Sequence, residues 1–417
     1  MAPETAGNQH LHKHINRMAL VRQLCASPGL SRADLANALG LTKSTVSLLV
    51  SELINEGWLV EREIVATGDL GRRPTPLFIG PHRQLIGVEV GIESIRVVLT
   101  SLTGEVLAST VADYGSNKSA KACIALIAAT LLKLYKQKTD GEHHRVIGIG
   151  IGLPGGVDEA HGYLHFASNL GWRDVPFGAL LIAKLAGTPL ANVPLIVQNE
   201  ADVAALGELE FNPEQAADPL LFVSINQGVG AGVIVSNRLL TGHRGFAGEV
   251  GHVILQVNGP LCTCGRHGCA AALIGMRALL RTPDTAEDEL PTASLAELQR
   301  RLGAKDARTL RAVKKAGAYL GVLLQNLSAA YDPASIVLGG SIVDLGDQYL
   351  QPALQTLNGY ATAANLQPPQ VRMSRFGVDA VAVGGAALAR HRLTRPAMAV
   401  GSNGNGAAQS NRASNMS

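Results

Sequence analysis

The sequence predicts an α/β protein in two parts, a winged helix-turn-helix over residues 10–80 and a two-lobed α/β domain over residues 84–392. Three observations support this prediction. Two short amphipathic segments meet at Gly40, a strand–turn–strand pattern that begins at residue 85 recurs about 135 residues later, and apolar strand runs then alternate with helical segments. A chain of 417 residues is also too long for one ordinary hydrophobic core.

Composition and charge limit the classes of function. Apolar residues make up 47% of the chain and the net charge is +3, which is typical of a globular protein. The first 83 residues carry nine Lys or Arg against seven Asp or Glu, so an argument for DNA binding has to rest on pattern rather than charge. We expect a cytoplasmic chain with no membrane contact, because we see neither an apolar signal core nor a membrane-spanning run.

The first part contains the signals of two helices joined by a tight turn. Ser31 is in position to cap one helix, and Asp34 completes a capping box three residues later. Gly40 suits the turn that follows, and Thr42 begins the next helix. The inward apolar positions are predicted to be Leu35, Ala38 and Leu39, then Val46, Leu49, Val50, Leu53 and Ile54.

This arrangement indicates a helix-turn-helix whose second helix enters the major groove of DNA by its N-terminal end. The candidate DNA contacts at the two helix starts are Ser31, Arg32, Thr42, Lys43, Ser44, Thr45 and Ser47. Two apolar runs at 58–60 and 77–79 predict a hairpin wing, and Arg72 and Arg73 at its tip could enter an A·T-rich minor groove. The alternative is a small helical domain whose surface is merely polar.

The second part contains an internal repeat. A strand–turn–strand pattern over residues 85–110 returns over residues 220–242, which indicates two similar lobes with a ligand cleft between them. We place the first lobe at about 84–198 plus the C-terminal helix, and the second at about 199–372. Residues 398–417 are predicted to be a disordered tail, because large apolar residues are almost absent there.

Four residues have the composition of a metal site. Cys262, Cys264 and Cys269 fall within eight positions, and His252 precedes them by ten residues. Three cysteines and one histidine complete a tetrahedral zinc shell with no position open for water, so the predicted zinc is structural. The alternative is a cluster of reduced thiols without a metal.

Two turns in the repeat bear on nucleotide binding. The glycine-rich turn at 226–232 has backbone N–H groups that could face a phosphate, although such hairpins are common in tight sheets. The matching turn of the first lobe carries Glu89 and Glu93, and two carboxylates repel phosphate oxygens unless a metal intervenes. The first turn therefore argues against ATP.

Several motifs together resemble the ROK family (repressors, open reading frames and kinases), in particular its winged-helix transcriptional repressors. They are GRRPTPL (71–77), LPGGVD (153–158), SNLGW (168–172), QNEADVAALGE (198–208), GFAGEVGH (245–252), CTCGRHGC (262–269) and IVLGGS (336–341). The resemblance covers about residues 12–390. It implies an actin-like, ribonuclease H-like pair of lobes with zinc on His252, Cys262, Cys264 and Cys269. It also implies a sugar in the cleft, held by Gly155, Gly156, Asn169, Asn199, Glu200, Glu249 and His252.

Three positions depart from the pattern of the family's kinases. Their phosphate loop is Asp-x-Gly-Gly-Thr, and residues 89–93 lack the second glycine and the threonine. Glu200 replaces the aspartate that acts as general base, so the carboxylate is displaced by roughly an ångström. Ala271 replaces a glutamate that binds the sugar. The first two departures argue against catalysis, and the third weakens the expected affinity for an ordinary hexose.

We therefore expect a DNA-binding transcriptional regulator of carbohydrate genes with no enzymatic activity. Its expected partners are a double-stranded DNA operator and a small sugar or sugar phosphate as inducer, and helix-turn-helix symmetry predicts a homodimer or homotetramer. One alternative is an ATP-dependent sugar kinase of the same family with an added DNA-binding domain. Another is a DNA-binding protein whose cleft takes no ligand.

Overall fold

The computed structural model describes residues 8–62, 75–138, 145–215, 217–280 and 295–395. The helices are α1 (Asn8–Ala26), α2 (Arg32–Leu39), α3 (Lys43–Asn55), α4 (Ala120–Lys138), α5 (Phe177–Leu185), α6 (Glu200–Phe211), α7 (Ala270–Ile274), α8 (Met276–Leu280), α9 (Leu295–Gly303), α10 (Ala307–Tyr331), α11 (Asp347–Ala363) and α12 (Ala380–Thr394). In this described part of the chain, no helix is both long and apolar enough to cross a membrane.

The strands form four sheets. They are β1 (Leu59–Glu61), β2 (Leu77–Ile79), β3 (Arg83–Val90), β4 (Ser94–Ser101), β5 (Val106–Asp113), β6 (Arg145–Leu153), β7 (Gly156–Asp158), β8 (Tyr163–Ala167), β9 (Trp172–Val175), β10 (Leu195–Asn199), β11 (Leu220–Ile225), β12 (Val229–Val235), β13 (Arg238–Leu239), β14 (Ser335–Gly339) and β15 (Gln370–Met373). The small sheet β7-β8-β9 was not predicted.

The winged helix-turn-helix is confirmed. Ser31 Oγ accepts a hydrogen bond from the backbone N–H of Asp34, whose carboxylate accepts one from the Ser31 N–H at 2.9 Å, as in a capping box. Gly40 adopts a φ of +64°, the left-handed conformation that the turn requires. The wing strands β1 and β2 pair antiparallel. One detail differs, because Ala36 is buried in α2 where we predicted Ala38, which is exposed.

The two large sheets share one topology, as the internal repeat predicts. The first has the order β5-β4-β3-β6-β10 and the second β13-β12-β11-β14-β15. In each sheet the first three strands pair antiparallel, and the last two join in parallel. Two copies of this sheet make the actin-like pair of lobes that the motifs implied.

Helices α6 and α12 lie back to back between the sheets. Helix α12 packs on β3 and β6 of the first sheet, and α6 packs on β11 and β12 of the second. The two helices approach most closely at Gly207 and Gly384, and a Cβ atom at Gly384 would overlap the carbonyl oxygen of Val203. Any rotation of one lobe against the other therefore acts on this helix pair.

The winged helix packs directly on the first lobe. The apolar residues Met18 and Leu24 of α1 belong to the same buried cluster as Leu102 and as Leu388 of α12. Arg83, at the start of β3, places its guanidinium over the ring of Trp58 at 4.1 Å. The DNA-binding part and the helix pair thus share one continuous core.

Candidate functional site

Three cysteines and one histidine converge beside the second sheet. The ligand atoms of His252, Cys262, Cys264 and Cys269 all lie within 4.8 Å of one another. The Sγ atoms of Cys264 and Cys269 are 3.7 Å apart, and Nδ1 of His252 is 3.7 Å from Sγ of Cys262. Zinc–sulfur bonds of about 2.3 Å at tetrahedral angles give ligand separations of about 3.8 Å. The cluster therefore has the composition and size of a closed tetrahedral metal site.

Local backbone geometry holds the cysteine loop in this shape. Ile254 and Cys269 form an antiparallel bridge, and a Cβ atom at Gly268 would overlap a backbone carbonyl oxygen. Burial alone would raise the pKa of the Cys264 thiol, but hydrogen bonds from Arg266 outweigh it and lower that pKa. Burial raises the pKa of the neighbouring Cys269 thiol to about 12, so of these two thiols Cys264 more readily forms the thiolate that binds a metal.

His252 connects the cysteine cluster to the cleft. Its Nδ1 faces Cys262, while Nε2 lies 3.8 Å from a carboxylate oxygen of Glu249. A ligated histidine usually directs its second nitrogen at a carboxylate, which fixes the orientation of the ring. A metal bound by this cluster would therefore also fix one wall of the cleft.

The cleft between the lobes gathers most of the predicted sugar contacts. Those that line it are Gly155, Asn169, Asn199, Glu200, Glu249 and His252, and Ala271 lines it as well. Among the lining residues that were not predicted as sugar contacts are Phe166, Ser168, Thr263 and Arg277. The predicted contact Gly156 is not among the lining residues; a Cβ atom there would meet the rings of Phe166 and Phe246.

Asn199 also has a structural role that the sequence analysis missed. Its Oδ1 accepts a hydrogen bond from the backbone N–H of Ala201 at 2.8 Å and so caps α6. Its Nδ2 donates to the carbonyl oxygen of Gly155 at 2.9 Å. These two bonds fix the first turn of α6 against the cleft wall.

Carboxyl groups crowd the same turn. Burial is the main reason that the pKa of Glu200 is raised to about 7, and the nearby carboxylates of Glu89 and Glu249 raise it further. Burial also raises the pKa values of Glu249 and Asp202, and neither carboxylate oxygen of Asp202 has a hydrogen-bond partner within the described residues. Carboxyl groups accept hydrogen bonds from hydroxyl groups and repel anions, so the cleft suits an uncharged ligand rich in hydroxyl groups.

The first-lobe turn, which would have to face a nucleotide phosphate, begins at a charge network. Arg96 Nη1 lies 3.1 Å from Asp379 Oδ1, and Nε lies 3.7 Å from Glu89 Oε2. Burial is the main reason that the pKa of Glu89 is raised to about 7. The charge of Arg96 lowers this pKa, and the carboxylate of Asp379 raises it. Glu89 and Arg96 line a second cavity that extends to Ser341, after β14. Because Arg96 already faces two carboxylates, its charge is poorly placed to attract a phosphate.

The far ends of α6 and α12 meet in a buried charge cluster. Arg390 Nε donates to Glu210 Oε2 at 2.9 Å, His391 Nδ1 lies 2.7 Å from Oε1, and Arg395 also binds Oε1. Burial alone would raise the pKa of Glu210, but Arg390, His391 and Arg395 outweigh it and hold that pKa well below its usual range. Glu210 is therefore ionised in the folded protein.

This cluster contacts the winged helix. Arg22 of α1 donates to the carbonyl oxygen of Thr394, the last residue of α12. The carbonyl oxygen of Leu102 accepts from Arg390 Nη1 at 2.8 Å and lies 3.8 Å from Sγ of Cys25 in α1. Helix α6 thus begins at the cleft, and its far end is linked through α12 to α1 of the winged helix.

The predicted DNA contacts lie mainly on the exposed start of α3. Thr42, Lys43, Ser44 and Ser47 are exposed, and Thr45 is half-buried. Thr42 Oγ1 caps the helix by accepting from the N–H of Thr45 at 3.2 Å.

Of the other predicted contacts, one is buried, one is paired with an acidic residue, and two lie outside the described residues. Ser31 is buried and its hydroxyl donates to Asp34 at 2.7 Å, so it is not available to DNA. Arg32 forms an ion pair with Glu61. Arg72 and Arg73 lie outside the described residues, as does the predicted tail.

Comparisons with known proteins match both parts of the chain. The model of the ROK family matches residues 85–392, and a winged helix-turn-helix DNA-binding model matches residues 14–60. The chain is 32% identical over 340 residues to the xylose repressor of Bacillus subtilis (strain 168). This alignment covers 81% of this chain and 85% of that protein.

Solved structures support the same fold. A ROK family glucokinase from Streptomyces griseus, in complex with glucose and AMPPNP, aligns with a TM-score of 0.63 and 26% identity, covering 74% of this chain and 99% of that one. A ROK family transcriptional regulator, a homolog of the E. coli MLC protein, aligns with a TM-score of 0.73 and 22% identity, covering 91% of this chain and 97% of that one. With the family model spanning about three-quarters of its residues, this chain belongs to the ROK family.

Proposed function

We propose that this protein is a sequence-specific DNA-binding transcriptional repressor of carbohydrate metabolism genes, that a sugar releases it from DNA, and that it is not an enzyme. The observation that carries the proposal is the path of α6, which starts beside Asn199 in the cleft and ends at Glu210, where α12 connects it to α1 of the winged helix through Arg390 and Thr394. A ligand at one end of this rigid element can therefore act on the DNA-binding surface at the other.

The proposed ligand site is the cleft lined by Gly155, Asn169, Asn199, Glu200, Glu249 and His252. Amide and carboxyl groups supply donors and acceptors for sugar hydroxyls. The similarity to xylose repressors makes xylose the first sugar to test. Zinc on His252, Cys262, Cys264 and Cys269 would hold the wall that His252 forms, as a structural ion that activates no water.

The groups at the nucleotide end of the cleft support the proposed absence of kinase activity. A kinase holds its phosphates with backbone N–H groups and cations. In this chain the corresponding turn begins at Glu89, and Arg96 is already paired with Glu89 and Asp379. Glu200 stands where the family's kinases have the aspartate base. We also propose that the protein works in the cytoplasm as a homodimer or homotetramer, because a helix-turn-helix usually reads two half-sites.

Binding of fluorescent DNA from upstream of the protein's own gene tests this proposal. We expect tight binding that one sugar, from a panel of free and phosphorylated sugars, weakens at least tenfold. Lys43→Ala should weaken DNA binding without changing sugar affinity, and Asn169→Ala should weaken sugar affinity without changing the DNA affinity of the sugar-free protein. Sugar-dependent turnover of ATP would contradict the proposal, and DNA binding that no sugar alters would contradict the sugar response.

A further inference from the structure

Helix α3 presents one exposed face, which we call the reading face and define as Ser44, Ser47, Leu48 and Ser51. At 100° per residue these four positions fall within about 100° of one another, opposite the buried Val46, Leu49, Val50 and Leu53. Three of the four side chains are short hydroxyls. The fourth, Leu48, is 60% exposed.

Leu48 is unusual for its surroundings. Among the described residues from 8 to 80, it is the one exposed large apolar side chain, and the others are buried or half-buried. Its flank is held in place, because Glu52 pairs with Lys13 of α1 at 2.6 Å and Glu56 pairs with Arg17. A leucine on a rigid polar surface gains free energy only when an apolar group covers it.

We propose that Leu48 contacts the C5-methyl group of a thymine in the major groove and thereby determines part of the operator sequence. The thymine methyl is the one apolar group that base pairs present in that groove, so it is the chemical match for a lone leucine among hydroxyls. Lys43 and the hydroxyls around Leu48 would meet phosphates and base edges, which brings the leucine to base-edge depth. This inference rests on the proposed function as a DNA-binding protein.

The test replaces each thymine of the operator in turn with deoxyuridine, which lacks only the methyl group. For the full-length protein we expect one thymine in each half-site at which the replacement weakens binding about fourfold, the equivalent of one buried methyl group. Leu48→Ala should weaken binding to the thymine operator and should no longer distinguish thymine from deoxyuridine at that position. Such loss of the methyl effect in a double-mutant cycle identifies a direct contact.

Two variants of the reading face serve as controls. Ser47→Ala lies on the same face but has no apolar contact to lose, so it should keep the fourfold methyl effect. Leu48→Met keeps an apolar side chain and should also retain it. If the wild-type protein binds the operator but Leu48→Ala shows the same methyl effects as wild type, the contact does not exist. If the wild-type protein shows no specific DNA binding at all, the proposed function itself fails.

Discussion

The buried charge cluster at the end of α6 leads to a prediction about stability. Glu210→Gln keeps the shape of the side chain but removes its charge, which leaves Arg390 without an anionic partner. The side chains of Glu210 and Arg390 are 3% and 6% exposed, so water cannot replace the lost interaction. Breaking a buried ion pair in this way costs about 3–5 kcal/mol. We expect a decrease of that size in the free energy of unfolding.

The pH dependence of this loss has a definite sign. The pKa of Glu210 is lower in the folded state than in the unfolded state, so its contribution is complete above the unfolded value, about 4.5, and falls as the pH drops below it. The difference in unfolding free energy between wild type and Glu210→Gln should therefore be constant from about pH 7 to 8, above the range in which the neighbouring His391 titrates. It should shrink as the pH is lowered below about 4.5.

Chemical denaturation at a series of pH values measures this difference. Glu297→Gln is the matched control, since Glu297 pairs with Arg300 and Arg301 on an exposed surface where ion pairs contribute little. A Glu210→Gln variant as stable as wild type at pH 7 would refute the reasoning, and so would a difference that does not shrink below about pH 4.5.

Two further predictions concern the cleft. Cys264→Ser should lower the metal content, measured by emission spectrometry, and should weaken sugar release, because the wall formed by His252 loses its support; unchanged metal and unchanged release would contradict this. Glu200→Gln should stabilise the protein by about 1–3 kcal/mol at pH 8 and very little at pH 4.5 in thermal or chemical unfolding, because the pKa of Glu200 is raised from 4.5 to about 7 and ionisation opposes folding. Equal effects at both pH values would show that Glu200 is not protonated in the fold.

Local signals made the winged helix and the sheet topology predictable. The caps at Ser31 and Thr42 and the turn at Gly40 depend on residues within three or four positions. The repeat of the strand pattern then implies that both lobes have the same strand order. The metal cluster was equally predictable, because three of its four ligands lie within eight residues.

Long-range contacts were not predictable in this way. Arg22, Leu102, Glu210 and Arg390 meet in one cluster although they are dispersed over nearly the whole chain. No pattern of spacing in the sequence marks such a meeting. Ser31 was predicted to contact DNA but is buried. A short polar residue at the start of a helix can cap the helix, bind DNA or do both, and only the packing around it decides which.

The shared core between the winged helix and the first lobe limits how this protein can be re-engineered or can evolve. A DNA-binding domain joined by a flexible linker could be exchanged freely between related proteins. In this protein, separating the winged helix from the first lobe would expose the buried side chains of Met18 and Leu24. It would also remove the hydrogen bond from Arg22 to the carbonyl oxygen of Thr394 at the end of α12. A transplant of new operator specificity should therefore graft only the surface of α3 and keep α1 with its own lobe.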